Sequence, residues 1–338
     1  MEKKLGMALV GLGFIGQFHA QIISENPHAK LVAVCDLRED LAKSFAEKYG
    51  CDYYTNLDEM LKRDDIDAVD LCVQEDYHLE PSLAIAKAKK HLFIEKPIAK
   101  TVAEGKAILD ACKENGVRCM VAHVLKFDPR YAQLKDAIRN GELGDITSMY
   151  FRRGNPNATA KRLNGTVSFF YYLGIHDLEM MMDYHEGAKP VKVYAQASNK
   201  INGHMNGDLD TAFVIITFDD GSVGNFQVSW AYPANPAKGI YCTAEVIGTK
   251  GYGRIDIDNQ GLMVMTEQNI FYPDTLHWPS YNGKTQGDLP AQIEHYVQAT
   301  LSGADYLVPD QSVMRAVAVA EAAQESIKTG KVIDISCD

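Results

Sequence analysis

The sequence predicts an α/β protein in two parts: a doubly wound Rossmann domain over residues 1–123, then an α+β domain with a mostly antiparallel open sheet over residues 124–338. Three observations carry this reading. Gly11-Leu12-Gly13-Phe14-Ile15-Gly16 follows the apolar run 7–10 at the G-x-G-x-x-G spacing. Strand and helix patterns then alternate as far as residue 122. From about residue 124 longer strands succeed one another, two of them joined by the turn Asp219-Asp220-Gly221-Ser222. A chain of 338 residues suits two domains, since single cores stop growing at roughly 250 to 300 residues.

In chain order, the run 7–10 reads as a buried strand and the glycines as the turn into a helix. Gly11 permits the sharp turn, Gly13 lets backbone N–H groups approach a pyrophosphate, and Gly16 lets the helix pack on the strand. Gly11, Gly13, Phe14, Ile15 and Gly16 are therefore the candidate phosphate-binding stretch, at a helix N-terminus that favours negative charge. A second strand, 31–35, ends at Asp36, twenty residues beyond Gly16, where a carboxylate can accept hydrogen bonds from an adenine-ribose diol. Together these features predict a dinucleotide site. NAD is the expected cofactor because Asp36 would repel a 2′-phosphate, while Arg38 two residues on can offset that repulsion and keeps NADP open.

A helix over 38–49, a strand over 67–73, a helix over 77–90, a strand over 91–95, a helix over 101–115 closed by Gly116 and a strand over 117–122 complete the first domain. Such alternation implies a parallel sheet with ligands at the carboxyl ends of its strands. In the second half a helix over 129–139 precedes strands over 146–153, 191–199, 211–218, 222–229, 241–247 and 253–257, and helices over 290–301 and 312–329 end the pattern. One face of that sheet needs helical cover. The other is either solvated or buried in an oligomer; apolar alternation on both sides of the strands makes it the expected surface of a homodimer or homotetramer.

Composition excludes several partners. A formal net charge of −11 argues against nucleic acid and anionic membrane surfaces, both of which require a basic face. No segment approaches the roughly 18 uncharged apolar residues of a membrane span. The N-terminal Lys3-Lys4 and its apolar run carry the glycine fingerprint and lack a small-x-small cleavage site, unlike an export signal. Seven cysteines (Cys35, Cys51, Cys72, Cys112, Cys119, Cys242, Cys337) without a C-x-x-C read as reduced thiols of a cytoplasmic protein.

Two stretches carry candidate chemistry. Glu95-Lys96-Pro97 ends the fourth strand on the rim that holds the glycine loop and Asp36. A lysine there can hydrogen-bond a substrate hydroxyl and favour its alkoxide, or it can be a solvated strand-end lysine. His176 opens an amphipathic helix over 175–184; imidazole is the usual proton acceptor at neutral pH, while a lone histidine on a helix is more often structural. A metal site from His176, Glu179, Asp183 and His185 matches no known ligand spacing, and none is expected.

The glycine loop, Asp36, Glu95-Lys96-Pro97 and Gly174-Ile175-His176-Asp177, in that order, resemble the glucose-fructose oxidoreductase / inositol dehydrogenase family (Gfo/Idh/MocA). Residues 122–131, which contain His123, resemble the family's domain junction, and Gly248-Thr249-Lys250-Gly251 its later hairpin. The resemblance implies an NAD(P)-dependent oxidoreductase acting on sugars, cyclitols or their derivatives. Lys96 would orient the substrate hydroxyl and contact the cofactor, with Glu95 beside it, and His176 would be the acid/base, with His123 at the substrate. It also leaves room for a redox-neutral sugar-modifying enzyme that keeps its NAD, and for a non-catalytic regulator.

Two departures stand out. Many members have an aspartate four residues before the histidine, where this chain has Tyr172, a phenol able to bind a substrate hydroxyl but a poor base. The family's Thr-Pro-Asn-x-x-His becomes Val73-Gln74-Glu75-Asp76-Tyr77-His78, which retains His78 as a cofactor contact alongside Val73. Finally, Arg152, Arg153, Lys161 and Arg162 put four cations into eleven residues of an acidic chain. Strand alternation lets at most one of Arg152 and Arg153 face a site, where it would clamp an acidic sugar; a solvated loop is the alternative.

Overall fold

The computed structural model describes residues 3–203, 209–233, 239–257, 261–268 and 270–336; Cys337, among the predicted free thiols, lies outside them. Two compact units emerge: Met1–Val124 with Trp278–Asp310, and Leu125–His277 with Gln311–Asp338.

The first unit opens with β1 (Leu5–Val10), α1 (Phe14–Glu25), β2 (Ala29–Cys35), α2 (Glu39–Tyr49), β3 (Asp52–Tyr54) and the single turn α3 (Leu57–Met60). It continues through β4 (Ala68–Leu71), α4 (Leu79–Lys87), β5 (His91–Ile94), α5 (Val102–Glu114) and β6 (Cys119–Val121). The six strands form one sheet in the order β3-β2-β1-β4-β5-β6, every neighbouring pair parallel. Every residue of β1 and β4 is buried, as expected for strands covered on both faces. The order reverses between β1 and β4, the place where doubly wound sheets bind ligands.

In the second unit come α6 (Pro129–Arg139), β7 (Ile146–Pro156), α7 (Asn157–Leu163), α8 (Ile175–Tyr184), β8 (Pro190–Ser198), β9 (Thr211–Phe218), β10 (Val223–Tyr232), β11 (Tyr241–Gly248) and β12 (Tyr252–Asp256). Two short hairpins follow, β13 (Val264–Met265) with β14 (Ile270–Phe271) and β15 (Ser280–Tyr281) with β16 (Lys284–Thr285). Helices α9 (Asp288–Ser302) and α10 (Asp310–Thr329) and strand β17 (Ile333–Asp334) end the chain. The sheet order is β12-β11-β7-β10-β9-β8-β17, antiparallel except for β7 with β10. Ala212, Val214, Ile216 and Phe218 of β9 are buried, whereas Phe213 and Ile215 are 49% and 45% exposed, so one face of this sheet shows apolar side chains. Among the described residues no helix is long and apolar enough to cross a membrane.

Three details differ from the pattern reading. Residues 154–160, expected as a loop of small and polar residues, are not one: β7 runs on to Pro156 because Gly154 and Pro156 find partners in β10, and Gly154 another in β11, and α7 follows at once. The helix expected from residue 77 starts at Leu79, after a 3₁₀ turn over Glu75–Tyr77. The stretch 278–310 belongs with the first unit instead of continuing the second. Its helix α9 docks there through Tyr296, stacked on Phe93 at 4.8 Å, and through the Ala299 carbonyl, which accepts from Arg118 Nη1 at 2.7 Å.

Candidate active site

In the first unit the candidate residues converge at the carboxyl ends of β1, β2, β4 and β5. Gly11 has φ +89, and a Cβ on it would sit 2.6 Å from the Cys72 carbonyl oxygen; one on Gly16 would sit 2.1 Å from that of Gly11. Packing alone forbids side chains at both. Gly13 differs, for nothing lies within 4 Å of its would-be Cβ, so the fold leaves that approach open. Phe14 is exposed with its ring edge-on to Phe18 at 5.5 Å, and Ile15 is half-buried.

Asp36 closes this loop from below. One carboxylate oxygen accepts the Leu12 N–H at 2.9 Å, and the other accepts the Arg38 N–H at 2.9 Å and its Nε at 3.1 Å. Partial burial pushes the Asp36 carboxyl up, but the Arg38 and Leu12 donors outweigh it and hold the carboxyl below its ordinary value. Arg38 is exposed beside it, so the charge at the end of β2 is partly compensated.

Lys96 is half-buried and its turn is pinned from three sides. Glu95 Oε2 accepts the Lys96 N–H at 3.2 Å, the Lys96–Pro97 peptide is cis, and the Pro97 carbonyl accepts from His78 Nδ1 at 2.8 Å. Glu95 is in turn held by His19, whose Nε2 lies 3.4 Å from Oε1 while its Nδ1 bonds Asp70 at 2.8 Å. This buried Asp70–His19–Glu95 chain connects the helix after the glycine loop, the strand beside it and the lysine turn. Desolvation works against the charged form of His19, but Asp70 and Cys72 raise its pKa well above 6.5. Glu95, pushed up by burial, is brought below its ordinary value by His19 and Lys96.

A histidine whose pKa rises on folding stabilises the fold fully below its unfolded value, near 6.5, and that contribution fades as pH rises through the folded value. The Tm difference between the wild type and His19→Gln should therefore be greatest below pH 6.5 and shrink in alkaline buffer. A difference that stays constant from pH 6 to 10 would contradict a charged His19.

His78 is a correction. Its ring is buried, with Nδ1 at the Pro97 carbonyl and Nε2 3.1 Å from the Val73 carbonyl, and burial lowers its pKa. It ties the end of β4 to the lysine turn and offers no ring nitrogen to a cofactor. Val73 is half-buried against Gly11, where its Cγ1 would lie 3.0 Å from a Cβ. His123 is buried just past β6.

In the second unit, a π-helical turn over Phe170–Gly174 runs straight into α8. Such turns recur at functional sites, and nothing in the hydrophobic pattern marks this one. Tyr172 and His176, four residues apart, are both half-buried, while Asp177 is fully buried. Asp177 pairs with Arg153 through Nε and Nη2, the latter at 3.4 Å. Burial alone would lower the Arg153 pKa, but the Asp177 charge raises it. Arg153 is thus committed to the helix that carries His176 and cannot clamp a substrate, which corrects that expectation. Arg152, on the other strand face, donates from Nη2 to Thr243 at 3.2 Å.

Glu179 and Asp183, on the same side of α8 as His176, are buried and paired with Lys126; Asp183 also pairs with Lys135 at 3.0 Å. His185 bonds Ser222 at 2.7 Å. Glu179, Asp183 and His185 are thus engaged in ion pairs and hydrogen bonds of the fold. The residues that sequence reasoning missed are His19 and Asp70. The available signal was a histidine three places after Gly16 on the buried stripe of α1.

The sequence matches the oxidoreductase family, NAD-binding Rossmann fold, over residues 5–123, and that family's C-terminal alpha/beta domain over residues 135–335. It is 28% identical to the scyllo-inositol 2-dehydrogenase (NAD(+)) of Bacillus subtilis (strain 168), covering 99% of this chain and 97% of that protein. To the inositol 2-dehydrogenase of Rhizobium meliloti (strain 1021) it is 29% identical, over 97% of this chain and 98% of the relative. The fold is that of the crystal structure of scyllo-inositol dehydrogenase from Lactobacillus casei with bound NAD(H) and scyllo-inositol, at TM-score 0.85, 22% identity and coverage of 98% and 99%.

Proposed function

Because this chain belongs to the Gfo/Idh/MocA oxidoreductase family in both of its domains, we propose that it is an NAD-dependent dehydrogenase moving a hydride between nicotinamide and a carbinol carbon of a sugar or cyclitol. The observation that carries this reading is the pinned Lys96 turn, set on the same sheet edge as the open approach at Gly13 and the ionised Asp36. The residues fit a dinucleotide: Gly11, Gly13, Phe14, Ile15 and Gly16 would face the pyrophosphate, Asp36 and Arg38 the adenine ribose, and Val73 the remainder. When bound, the nicotinamide supplies the hydride acceptor. Lys96 would donate a hydrogen bond to the substrate hydroxyl and contact the cofactor, and His176 would take that hydroxyl's proton; Tyr172 and His123 would contact the substrate. The inositol dehydrogenase relatives favour a polyhydroxylated ring. Incubation with excess NAD and a panel of cyclitols and sugars should give NADH stoichiometric with product. Product without net NADH would replace this reading with a redox-neutral one, and ligand-dependent stabilisation without turnover with a regulator.

NAD is the proposed physiological cofactor. Asp36 stays ionised and engaged with Leu12, and a 2′-phosphate would have to displace Arg38 from it. The expected kcat/KM ratio of NAD over NADP is at least about tenfold, roughly 1.4 kcal/mol, and Asp36→Ala should erase it. A wild-type preference for NADP would refute the assignment. The exposed Phe213 and Ile215 face would be covered by a second copy of the chain in a dimer or tetramer. The six described cysteines are free thiols, which suits a reducing cytoplasm.

A further inference from the structure

Of the four cations that follow the start of β7, Arg153 is spent on Asp177, and Arg152 lies half-buried on the sheet with its Nη2 on Thr243. Arg162 is different. It projects from the last turn of α7, is exposed, and among the described residues forms no ion pair. Its Nη2 donates to the Tyr172 hydroxyl at 3.0 Å. A guanidinium has five N–H donors in a planar fork, so one bond to a phenol leaves an edge for a second acceptor. Tyr172 lies four residues before His176 in one continuous helical run. The nearest acidic residue of that run, Asp177, is neutralised by Arg153. A positive charge with spare donors therefore bonds a side chain that sits one helical turn before the candidate acid/base, in a chain whose net charge is −11.

We propose that Arg162, steadied by Tyr172, is an anion-recognition site and that the substrate carries a carboxylate, as a uronate or another sugar or cyclitol acid. This rests on the hydride-transfer reading above for the place where the substrate binds. The carboxylate would take the remaining edge of the guanidinium bidentately, with the Tyr172 hydroxyl holding the other side of the fork. A single guanidinium matches a monoanion in charge and planarity, and a phosphate dianion would call for a second committed cation. Arg162 is a specificity residue here and moves no proton.

The test titrates the NAD-loaded full chain by calorimetry with matched pairs, glucuronate against glucose and gluconate against sorbitol, with glucose 6-phosphate as a third arm, and follows NADH in parallel. The acid of each pair should bind at least about tenfold more tightly than its neutral partner, the scale of a charge-assisted bidentate contact. Arg162→Ala should collapse that ratio by about tenfold or more through KM, Arg162→Lys should restore it only in part, and the neighbouring Lys161→Ala should leave it intact. Equal or tighter binding of the neutral partners, preference for the phosphate, loss of selectivity in Lys161→Ala as large as in Arg162→Ala, or failure of every acid to bind would each overturn the proposal. NADH formed from any neutral polyol would keep the dehydrogenase reading standing when the carboxylate site falls; selective acid binding without NADH would do the reverse. Since Arg162 is exposed at the end of a short helix, its replacement leaves the core untouched.

Discussion

His176→Ala should lower kcat by about 10²-fold or more, because a positioned general acid/base contributes roughly 10² to 10⁴. Lys96→Ala should have an effect of the same order, since it removes the donor that favours the alkoxide. In both variants NAD affinity should remain within a few-fold of the wild type. The glycine loop and Asp36 are held by Leu12, Arg38 and backbone packing, none of which involves either side chain. Steady-state kinetics with a separate NAD titration distinguishes the two effects. Tyr172→Phe completes the series: a small effect on kcat beside a large one at His176 assigns the proton to the imidazole alone. Near-normal turnover in His176→Ala would end the mechanism.

The largest stability effect is expected at Arg153. Replacing it with methionine leaves the Asp177 carboxylate buried without its partner, and losing one member of a buried pair costs about 3–5 kcal/mol. Because α8 carries His176, activity should fall with the structure. The double variant Arg153→Met/Asp177→Leu removes both charges and should recover most of the lost Tm, since an apolar pair of similar volume is often neutral or better. Thermal melts of the three variants decide the matter. If the single variant melts within a degree or two of the wild type, the pair does not position this helix.

These effects also mark what was legible in the chain. The glycine spacing, the strand that ends in Asp36 and the parallel alternation around them are local patterns, set by backbone sterics and by the periods of helix and strand. They suffice to predict the first sheet and the ends of its strands. Lys96 was legible because its position at the end of β5 follows from the same register. His78 was misread because one sequence motif suits a cofactor contact or a buried tether equally well. Only the proximity of the Val73 and Pro97 carbonyls distinguishes them.

The sequence by itself determined the two-domain α/β class, the dinucleotide fingerprint and the candidates for proton chemistry, because those depend on residues near one another in the chain. Tertiary structure alone decided which charges are available. It pairs Arg153 with Asp177 across 24 positions and His19 with Asp70 across 51, and returns α9 to the first unit through Arg118 and Ala299, 181 apart. Each is a choice among many possible partners, set by burial: a charge removed from water must find a counterion or a hydrogen-bond acceptor wherever the packed elements bring one.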